Sequence, residues 1–335
     1  MILIKVTAVC FWALLVGMSA AIGTLAVAPQ ALAAPALNSS EPGCDGSDPN
    51  VLMCEDFDDG VWYSQHCDAQ GHPTASNPTP SNSKGWCGTI YASPITPANA
   101  AVCGGAGFGG TNCAATSGSL TGGVGGRNMA DHAFVNFQGV SEIYVRWYYW
   151  ASAGYQWSQQ KALTFNSGNP GDGGIKFGNF SFRCAAGDGL SSTANITMGF
   201  PVPQDECANP NVSDISVTGG KWYFVEAHMS LGTPGQSNGK FRLWMNDCGA
   251  AGVCTGTPTL RMDRSNIRYN RTSTSELIRT LWWENWGNST TGQGSIGTEK
   301  YDQIKVSKVG PIGFMGAAPT NTVSPSAPFN VRTTP

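Results

Sequence analysis

Acid–base and aromatic side chains share one face of a predicted β-hairpin between residues 221 and 247. Glu226 and His228 alternate with apolar residues in its first half, and Arg242 and Trp244 do so in its second half. A carboxylate and an imidazole can transfer protons, a guanidinium binds anions, and an indole packs on flat apolar surfaces. This combination predicts that the polar face holds a ligand.

The hairpin itself is predicted from period-two patterning, which puts successive side chains on opposite faces of a sheet. Between the two runs, Gly235 and the pair Asn238-Gly239 supply residues that tolerate a positive φ, as tight turns require. The apolar face is predicted to consist of Tyr223, Val225, Ala227, Met229, Leu231, Phe241, Leu243 and Met245.

Other segments with strand patterning follow one another along the chain, and none has the pattern of a long amphipathic helix. The predicted strands cover residues 51–57, 142–150, 160–166, 175–183, 193–200, 275–286 and 300–307. Many strands joined by long loops favour an all-β chain folded as two stacked antiparallel sheets, a sandwich or jelly roll.

The N-terminal segment has the features of a secretory signal. Lys5 precedes an apolar run, and Ala31-Leu32-Ala33 fits a small-x-small cleavage site, although a membrane anchor is the alternative. We therefore predict a signal peptide at 1–33, a lead-in at 34–50, a β-domain at 51–316 and a Pro/Thr/Ser-rich tail at 317–335. The mature protein is expected to be extracellular, monomeric and not membrane-bound.

Composition excludes several classes of protein. Charged residues make up 12% of the 335 residues, there are 43 glycines, and the formal charge is −3. Removing residues 1–33, in which Lys5 is the one charged residue, changes it to −4. The chain therefore lacks the basic field of a nucleic-acid-binding protein, and any anionic ligand must meet local Arg and Lys side chains.

Cysteine usage indicates an oxidising compartment. Of the eleven cysteines, Cys10 lies in the signal segment, so an even number of ten remains. Each neighbouring pair brackets a Gly-, Pro- or Asn-rich loop, although sequence alone does not prove the connectivity, and zinc ligation is the alternative. The expected disulfides are Cys44–Cys54, Cys67–Cys87, Cys103–Cys113, Cys184–Cys207 and Cys248–Cys254.

Five segments in this order resemble a known group of secreted proteins: CEDFDDGVW, EIYVRWYYW, QKALTFN, the hairpin segment and YDQIKVSKVGPIG. They resemble concanavalin A-like jelly-roll proteins related to polysaccharide lyases of the alginate, glucuronan and heparin type. The resemblance implies a two-sheet antiparallel jelly-roll sandwich with long disulfide-stapled loops. It also implies a polysaccharide partner, either neutral or anionic, bound on the concave sheet.

A uronate lyase neutralises the C6 carboxylate, removes the C5 proton and protonates the leaving O4. If the polar strand faces line one groove, Arg146 with Gln160 or Lys161 would neutralise the carboxylate. His228 would be the base, with Lys161 as a substitute, and Tyr148 the acid. The remaining expected substrate contacts are Glu226, Arg242, Trp244, Trp283 and Asn285.

Structural roles compete with these assignments. Arg146 and Glu226 would then pair across the sheet, His228 would be a hydrogen-bonded sheet residue, and the aromatic side chains would be packing residues. Two other functions remain open. A glycan-binding module would use the same aromatic platforms, and a glycoside hydrolase would need two carboxylates about 5–10 Å apart.

No cofactor is expected to be required for catalysis. Glu55 and Asp302 lie in the first and last predicted strands, and carboxylate oxygens are the ligands that Ca²⁺ prefers. The sequence therefore predicts a structural calcium site at these two residues, with solvated turn acids as the alternative.

Overall fold

The computed structural model describes residues 37–58, 86–88, 100–103, 105–121, 127–157, 159–168, 175–183, 191–199, 212–288 and 293–315. These residues form strands joined by turns, with one short 3₁₀ turn at Phe108–Gly110, and all belong to one compact unit. The strands are β1 (Leu37–Asn38), β2 (Val51–Glu55), β3 (Trp86–Gly88), β4 (Ala100–Val102), β5 (Ala114–Thr121), β6 (Arg127–Val140), β7 (Glu142–Ala151), β8 (Gln159–Asn166), β9 (Lys176–Arg183), β10 (Thr193–Gly199), β11 (Val212–Thr218), β12 (Trp222–Ser230), β13 (Gly239–Asp247), β14 (Leu260–Ile267), β15 (Ile278–Asn288) and β16 (Gln293–Ser307).

The strands form two sheets, and half of the fourteen described strand pairs join strands that are not consecutive in the chain. The nine-stranded sheet has the order β1-β2-β16-β7-β12-β13-β14, with β5 also pairing with β16 and β4 pairing with β5. The seven-stranded sheet has the order β11-β10-β9-β8-β15-β6-β3. Apart from the parallel pair β1–β2, the pairings are antiparallel, so the predicted two-sheet antiparallel jelly-roll sandwich is confirmed.

One apolar interior lies between the two sheets. Val145, Val225 and Leu243 of the nine-stranded sheet and Leu163 and Leu281 of the seven-stranded sheet belong to the same buried cluster. Aromatic side chains pack against each other between the layers. The ring centroids of Trp147 and Phe180 are 5.0 Å apart, and those of Phe180 and Phe241 are 5.6 Å apart. Burial of both inner faces is what holds the sheets together.

The predicted hairpin is confirmed. Strands β12 and β13 pair antiparallel with Ala227 opposite Leu243 and His228 opposite Arg242. Strand β7 pairs with the other edge of β12, so Arg146 lies opposite Glu226. The residues predicted for the apolar face are buried, which the period-two pattern of both runs requires.

Several strands lie where no strong strand pattern is present in the sequence. The longest is β6, Arg127–Val140, which begins at the end of the segment that composition assigned to loops. Its Gly and Asn content weakened the pattern, although Val135 and Phe137 do alternate and are buried. Tertiary pairing with β15 and β3 overrides the weak local preference.

Three of the predicted disulfides are confirmed: Cys44–Cys54, Cys103–Cys113 and Cys248–Cys254. The predicted pairs Cys67–Cys87 and Cys184–Cys207 involve residues outside the described part of the chain, as do the predicted signal peptide and tail. No helix among the described residues is long and apolar enough to cross a membrane.

Candidate functional site

The structure separates the predicted site residues between two sheets. Arg146, Tyr148 and His228 are in strands of the nine-stranded sheet, whereas Lys161 is in β8 of the seven-stranded sheet. The expectation that these residues line one groove is therefore wrong. Period-two patterning assigns a face to each residue within its own strand, but it does not say which strands share a sheet.

Arg146 lies fully buried in an ion pair with the lead-in. Its two terminal nitrogens donate to the two carboxylate oxygens of Glu41, and its Nε and Nη2 also donate to the carbonyl of Gln303. Lys305 donates to the same carboxylate from the other side, over 3.2 Å. Burial alone would lower the pKa of Arg146, but the bonds to Glu41 keep it above its ordinary value.

Glu226 holds the segment that follows the last strand. We call residues 308–315 the C-terminal strap. The carboxylate of Glu226 accepts hydrogen bonds from the backbone amides of Ile312 over 2.7 Å and Gly313 over 2.8 Å. Burial raises the pKa of Glu226, and these two donors oppose that rise. The predicted ion pair of Arg146 with Glu226 is thus replaced by two separate contacts. Arg146 pairs with Glu41, and Glu226 binds the strap.

Tyr148, the predicted acid, is covered by a second, smaller apolar cluster on the outer face of the nine-stranded sheet. Phe108 stacks on its ring with centroids 3.6 Å apart, and its hydroxyl oxygen accepts a hydrogen bond from the amide of Met315. The loops closed by the Cys103–Cys113 and Cys248–Cys254 disulfides contribute to the same cluster. Burial raises the pKa of this phenol.

His228, the predicted base, is a buried member of a side-chain row on the same outer face. Its Nε2 lies 2.7 Å from Oε1 of Glu142, and the ring of Tyr144 stacks on the imidazole with centroids 4.3 Å apart. The histidine side chain is 4% exposed, while that of Glu142 is 49% exposed. The hydrogen bond from His228 lowers the pKa of Glu142.

Further along the hairpin, Arg242 and Trp244 remain accessible. The Nε of Arg242 donates to Asp263 over 3.2 Å, and both side chains of this pair are well exposed. Trp244 is half-buried and lies between Glu226 and Leu260 in the ladder. These two predicted contact residues are therefore near each other but on a different sheet from Lys161.

The other predicted site residues occupy β8 and β15. Lys161 is paired with Ser181 on one side and Trp286 on the other, whereas the adjacent Gln160 is paired with Phe182. Neighbours along a strand alternate between faces, so Gln160 and Lys161 do not share one. Trp283 comes two positions after buried Leu281, and Asn285 falls where the register of β15 shifts.

On the side away from the interior, the seven-stranded sheet carries several polar residues. Leu163, Phe165 and Leu281 belong to the interior, so the residues next to them in each strand lie on the opposite side. The register of β8 shifts between Lys161 and Leu163, and Lys161 is paired with Ser181, the residue after buried Phe180, so Lys161 is assigned to the opposite side too. We call that side the polar face. Its register rows are Asn166–Thr280–Asn136, Asn179–Thr164–Trp282–Phe134, Glu284–His132 and Ser181–Lys161–Trp286.

His132 of β6 is the residue on this face that sequence reasoning missed. It pairs directly with Glu284 of β15, so the two residues occupy one row of the sheet. The available signal was the alternation of His132, Phe134 and Asn136 with Ala133, Val135 and Phe137. Because the sequence before this segment is Gly-rich, the segment was not predicted as a strand.

Asn166 marks the opposite end of the polar face. The residue is 6% exposed, and its amide Nδ2 makes no hydrogen bond among the described residues. A buried donor without an acceptor costs about 1–3 kcal/mol, and such groups recur where proteins bind ligands or water. Thr164 and Thr280, in neighbouring rows, are also buried, so this end of the polar face is closed to a large ligand.

The predicted calcium ligands have protein partners. Asp302 accepts hydrogen bonds from the amides of Phe108 and Gln303 and from the hydroxyl of Thr111, and Glu55 accepts one from the amide of Phe57. Among the residues that the structure describes, no group of three or more His, Cys, Asp or Glu side chains is placed to hold a metal ion. Calcium at Glu55 and Asp302 stays a prediction.

Comparison with solved structures finds proteins of similar architecture. The marine PL-14 alginate lyase from Aplysia kurodai matches with a TM-score of 0.48 and 8% identity, over 63% of this chain and 88% of that chain. The alginate lyase Aly36B matches with a TM-score of 0.48 and 16% identity, over 78% and 98%. A GH131 β-glucanase catalytic domain from Podospora anserina matches with a TM-score of 0.39 and 11% identity, over 65% and 82%.

No protein-family model and no curated protein matches this chain. Unrelated functions share the same folds, so likenesses at such low identity do not transfer an activity. The function has to be argued from the residues of this chain.

Proposed function

We propose that the protein is a secreted carbohydrate-active protein that binds an acidic polysaccharide on the polar face of the seven-stranded sheet and cleaves it by β-elimination. The outer face of the nine-stranded sheet is the weaker candidate. There, Arg146, Tyr148 and Glu226 are buried. Arg146 is bonded to the lead-in, Tyr148 and Glu226 are bonded to the strap, and Phe108 of a disulfide-closed loop stacks on Tyr148. A glycan could not reach them without displacing those segments.

The observation that carries the proposal is the alignment of polar and aromatic residues across β6, β15, β8 and β9. His132 lies opposite Glu284, and Lys161 lies between Ser181 and Trp286 in the neighbouring part of the sheet. An imidazole of β6, a cation of β8, and a carboxylate and an indole of β15 therefore belong to residues assigned to one face. Rigid strands give such a set the fixed geometry that catalysis requires.

These residue types match the tasks of β-elimination. Lys161 would neutralise the C6 carboxylate of a uronate and so make the C5 proton more acidic. His132 would take that proton. The electron pair of the C5–H bond would form the C4–C5 double bond, the C4–O4 bond would break, and the leaving O4 would take a proton from solvent water. Glu284 would orient the imidazole, and Trp286 would stack on a sugar ring.

Elimination fits this face better than hydrolysis. A glycoside hydrolase needs two carboxylates about 5–10 Å apart. Glu284 is the one carboxylate at a register-paired position of the described strands β6, β8, β9 and β15, while Asp131 falls where the register of β6 shifts. A lyase needs a base and a neutralising cation instead, and His132 and Lys161 supply both types.

Two histidine variants test the proposal with a built-in control. The purified protein is incubated with alginate, glucuronan, heparin-type and neutral glycans, and ultraviolet absorbance of unsaturated uronates is followed. We expect His132→Ala to lower kcat/KM by at least about 100-fold, the usual contribution of a general base. His228→Ala, which removes the same residue type from the other sheet, is expected to retain activity within a few-fold.

Other outcomes would overturn specific parts of the proposal. Activity lost in His228→Ala but kept in His132→Ala would move the site to the nine-stranded sheet. Reducing ends without ultraviolet absorbance would identify a hydrolase. Retention on a glycan column without any product would identify a binding module.

A further inference from the structure

We infer that the outer face of the nine-stranded sheet carries a second glycan-binding surface, built around Trp244, which tethers the protein to polysaccharide without taking part in cleavage. The inference rests on the proposed function in that the ligand is the same class of polymer. It differs in its location, because Trp244 is on the sheet opposite to the one that holds His132 and Lys161.

The surface consists of one aromatic ring and one ion pair in adjacent rows of the sheet. Leu243, between Arg242 and Trp244, is buried in the interior, so both of these residues face outward. Trp244 is half-buried, which holds the indole in place while part of it remains accessible. Leu260, its partner on the edge strand β14, is 45% exposed.

The ion pair keeps unused hydrogen-bonding capacity. Arg242 and Asp263 lie opposite each other, with side chains 37% and 47% exposed, and the one contact between them is from Nε to Oδ2. The two terminal nitrogens of the guanidinium and the other carboxylate oxygen therefore have no bond among the described residues. Donors and an acceptor beside a flat indole are what a pyranose ring with hydroxyl groups on its rim requires.

A sugar is a better match than a protein partner. Stable protein interfaces bury about 800 Å² on each partner and centre on a desolvated apolar patch. Here Trp244 packs on one side against the apolar cluster of the outer face and borders an exposed ion pair on the other, so the exposed border of the ring is polar. The mixture of a stacking surface with polar groups at its border suits a single sugar unit of a long chain.

The consequence is two glycan contacts on opposite broad faces of one molecule. A polymer bound at Trp244 would raise the effective concentration of neighbouring chains near the polar face. Weak affinity at Trp244 is sufficient for this purpose, since the gain comes from linkage rather than from tight binding at one site.

Three variants test the inference on the full protein. Retention on insoluble polysaccharide is measured by pull-down and by affinity electrophoresis, with alginate and a neutral glycan as the probes. We expect Trp244→Ala to weaken retention roughly tenfold, in keeping with the loss of one aromatic stacking contact. Trp244→Phe is expected to keep part of it, and Leu260→Ala, which removes apolar area in the same row, to keep nearly all of it. Thermal unfolding verifies that each variant folds.

The two proposals fail separately. If Trp244→Ala is retained like wild type, or if Leu260→Ala loses as much, the second surface is wrong whatever the activity. If Trp244→Ala loses retention while wild type yields no product from any glycan, the second surface stands and the lyase proposal fails. If wild type binds no glycan at all, both are overturned.

Discussion

Asp302 shows how strongly one buried carboxyl responds to its surroundings. The residue is fully buried, and burial raises its pKa from 3.8 to about 8, although the amides of Phe108 and Gln303 and the hydroxyl of Thr111 donate to it and oppose the rise. A charged carboxylate is disfavoured away from water, so the folded protein retains the proton at pH values where the unfolded chain has lost it.

The sign of the pH dependence follows from this difference. Between about pH 4 and pH 8 the folded state binds more protons at Asp302 than the unfolded state does, so the free energy of unfolding falls as pH rises. The contribution of Asp302 is fully present below the unfolded pKa and is lost as pH rises through about 8. We expect wild type to melt at a lower temperature at pH 9 than at pH 5.

The control is Asp302→Asn, which cannot titrate. Its melting temperature is expected to change less between pH 5 and pH 9 than that of wild type, as measured by differential scanning calorimetry in buffers of equal ionic strength. A wild-type melting temperature that rises toward pH 9, or a slope identical in both proteins, would show that Asp302 is ionised in the folded state at neutral pH.

Individual residue faces were predictable, but residue partners were not. Alternation assigned Arg146, Glu226 and His228 to one face correctly, and all three are on the outer face of the nine-stranded sheet. Nothing local predicts that Arg146 pairs with Glu41, which is 105 positions away. A guanidinium that looks available for a substrate carboxylate is thus already neutralised by a carboxylate of the same chain.

At the level of elements, the C-terminal strap is the feature that closes the nine-stranded sheet. It is bonded by backbone amides, at Ile312 and Gly313 to Glu226 and at Met315 to Tyr148. Its Gly310 packs against the ring of Tyr144, where a larger residue would clash. The hairpin β12–β13 was predictable because its strands pair locally, whereas a strap without periodicity gives no sequence signal.

We expect Glu226→Gln to loosen the strap while leaving the sheet intact. The amide side chain keeps one acceptor oxygen, but it places an N–H donor against one of the two backbone donors. A buried donor that loses its acceptor costs about 1–3 kcal/mol. Amide hydrogen exchange, followed by mass spectrometry, should therefore quicken on the order of tenfold in residues 308–315 and stay unchanged in β12.

The matched control is Glu276→Gln. Its carboxylate also accepts hydrogen bonds from two consecutive backbone amides, those of Thr272 and Ser273, but in an exposed turn. Strap exchange should not change in this variant. Equal exchange rates in the Glu226→Gln strap and the wild-type strap would mean that packing, rather than the carboxylate, holds the segment.

For the whole molecule, the decisive property is which strands share a sheet. The chain crosses between layers repeatedly, so β7 and β8 are consecutive in sequence but belong to different sheets, and β15 lies between β8 and β6. The two-layer architecture was predictable from the number and pattern of strands. The order of strands within the sheets was not predictable, because any strand with one apolar face fits either layer. The candidate site therefore lies on β6, β8 and β15 rather than on β7 and β12.

The shared interior also predicts how the molecule unfolds. Leu281 of the seven-stranded sheet is fully buried in the same cluster as Val225 and Leu243 of the nine-stranded sheet. We expect Leu281→Ala to lower the free energy of unfolding by about 2–5 kcal/mol, since it removes buried methyl groups and leaves a cavity. Neither sheet can keep its inner face buried without the other, so the loss should be felt in both.

Hydrogen exchange under mildly denaturing conditions measures this coupling strand by strand. In Leu281→Ala the most protected amides of β12 should lose as much protection as those of β15, because both exchange through the same global unfolding. Val253→Ala, at a position 63% exposed on the surface, is the control and should change the free energy by less than about 0.5 kcal/mol. Loss of protection restricted to the seven-stranded sheet would show that the layers unfold independently. A mutation at the polar face could then disturb its own sheet without weakening the sheet that carries Trp244.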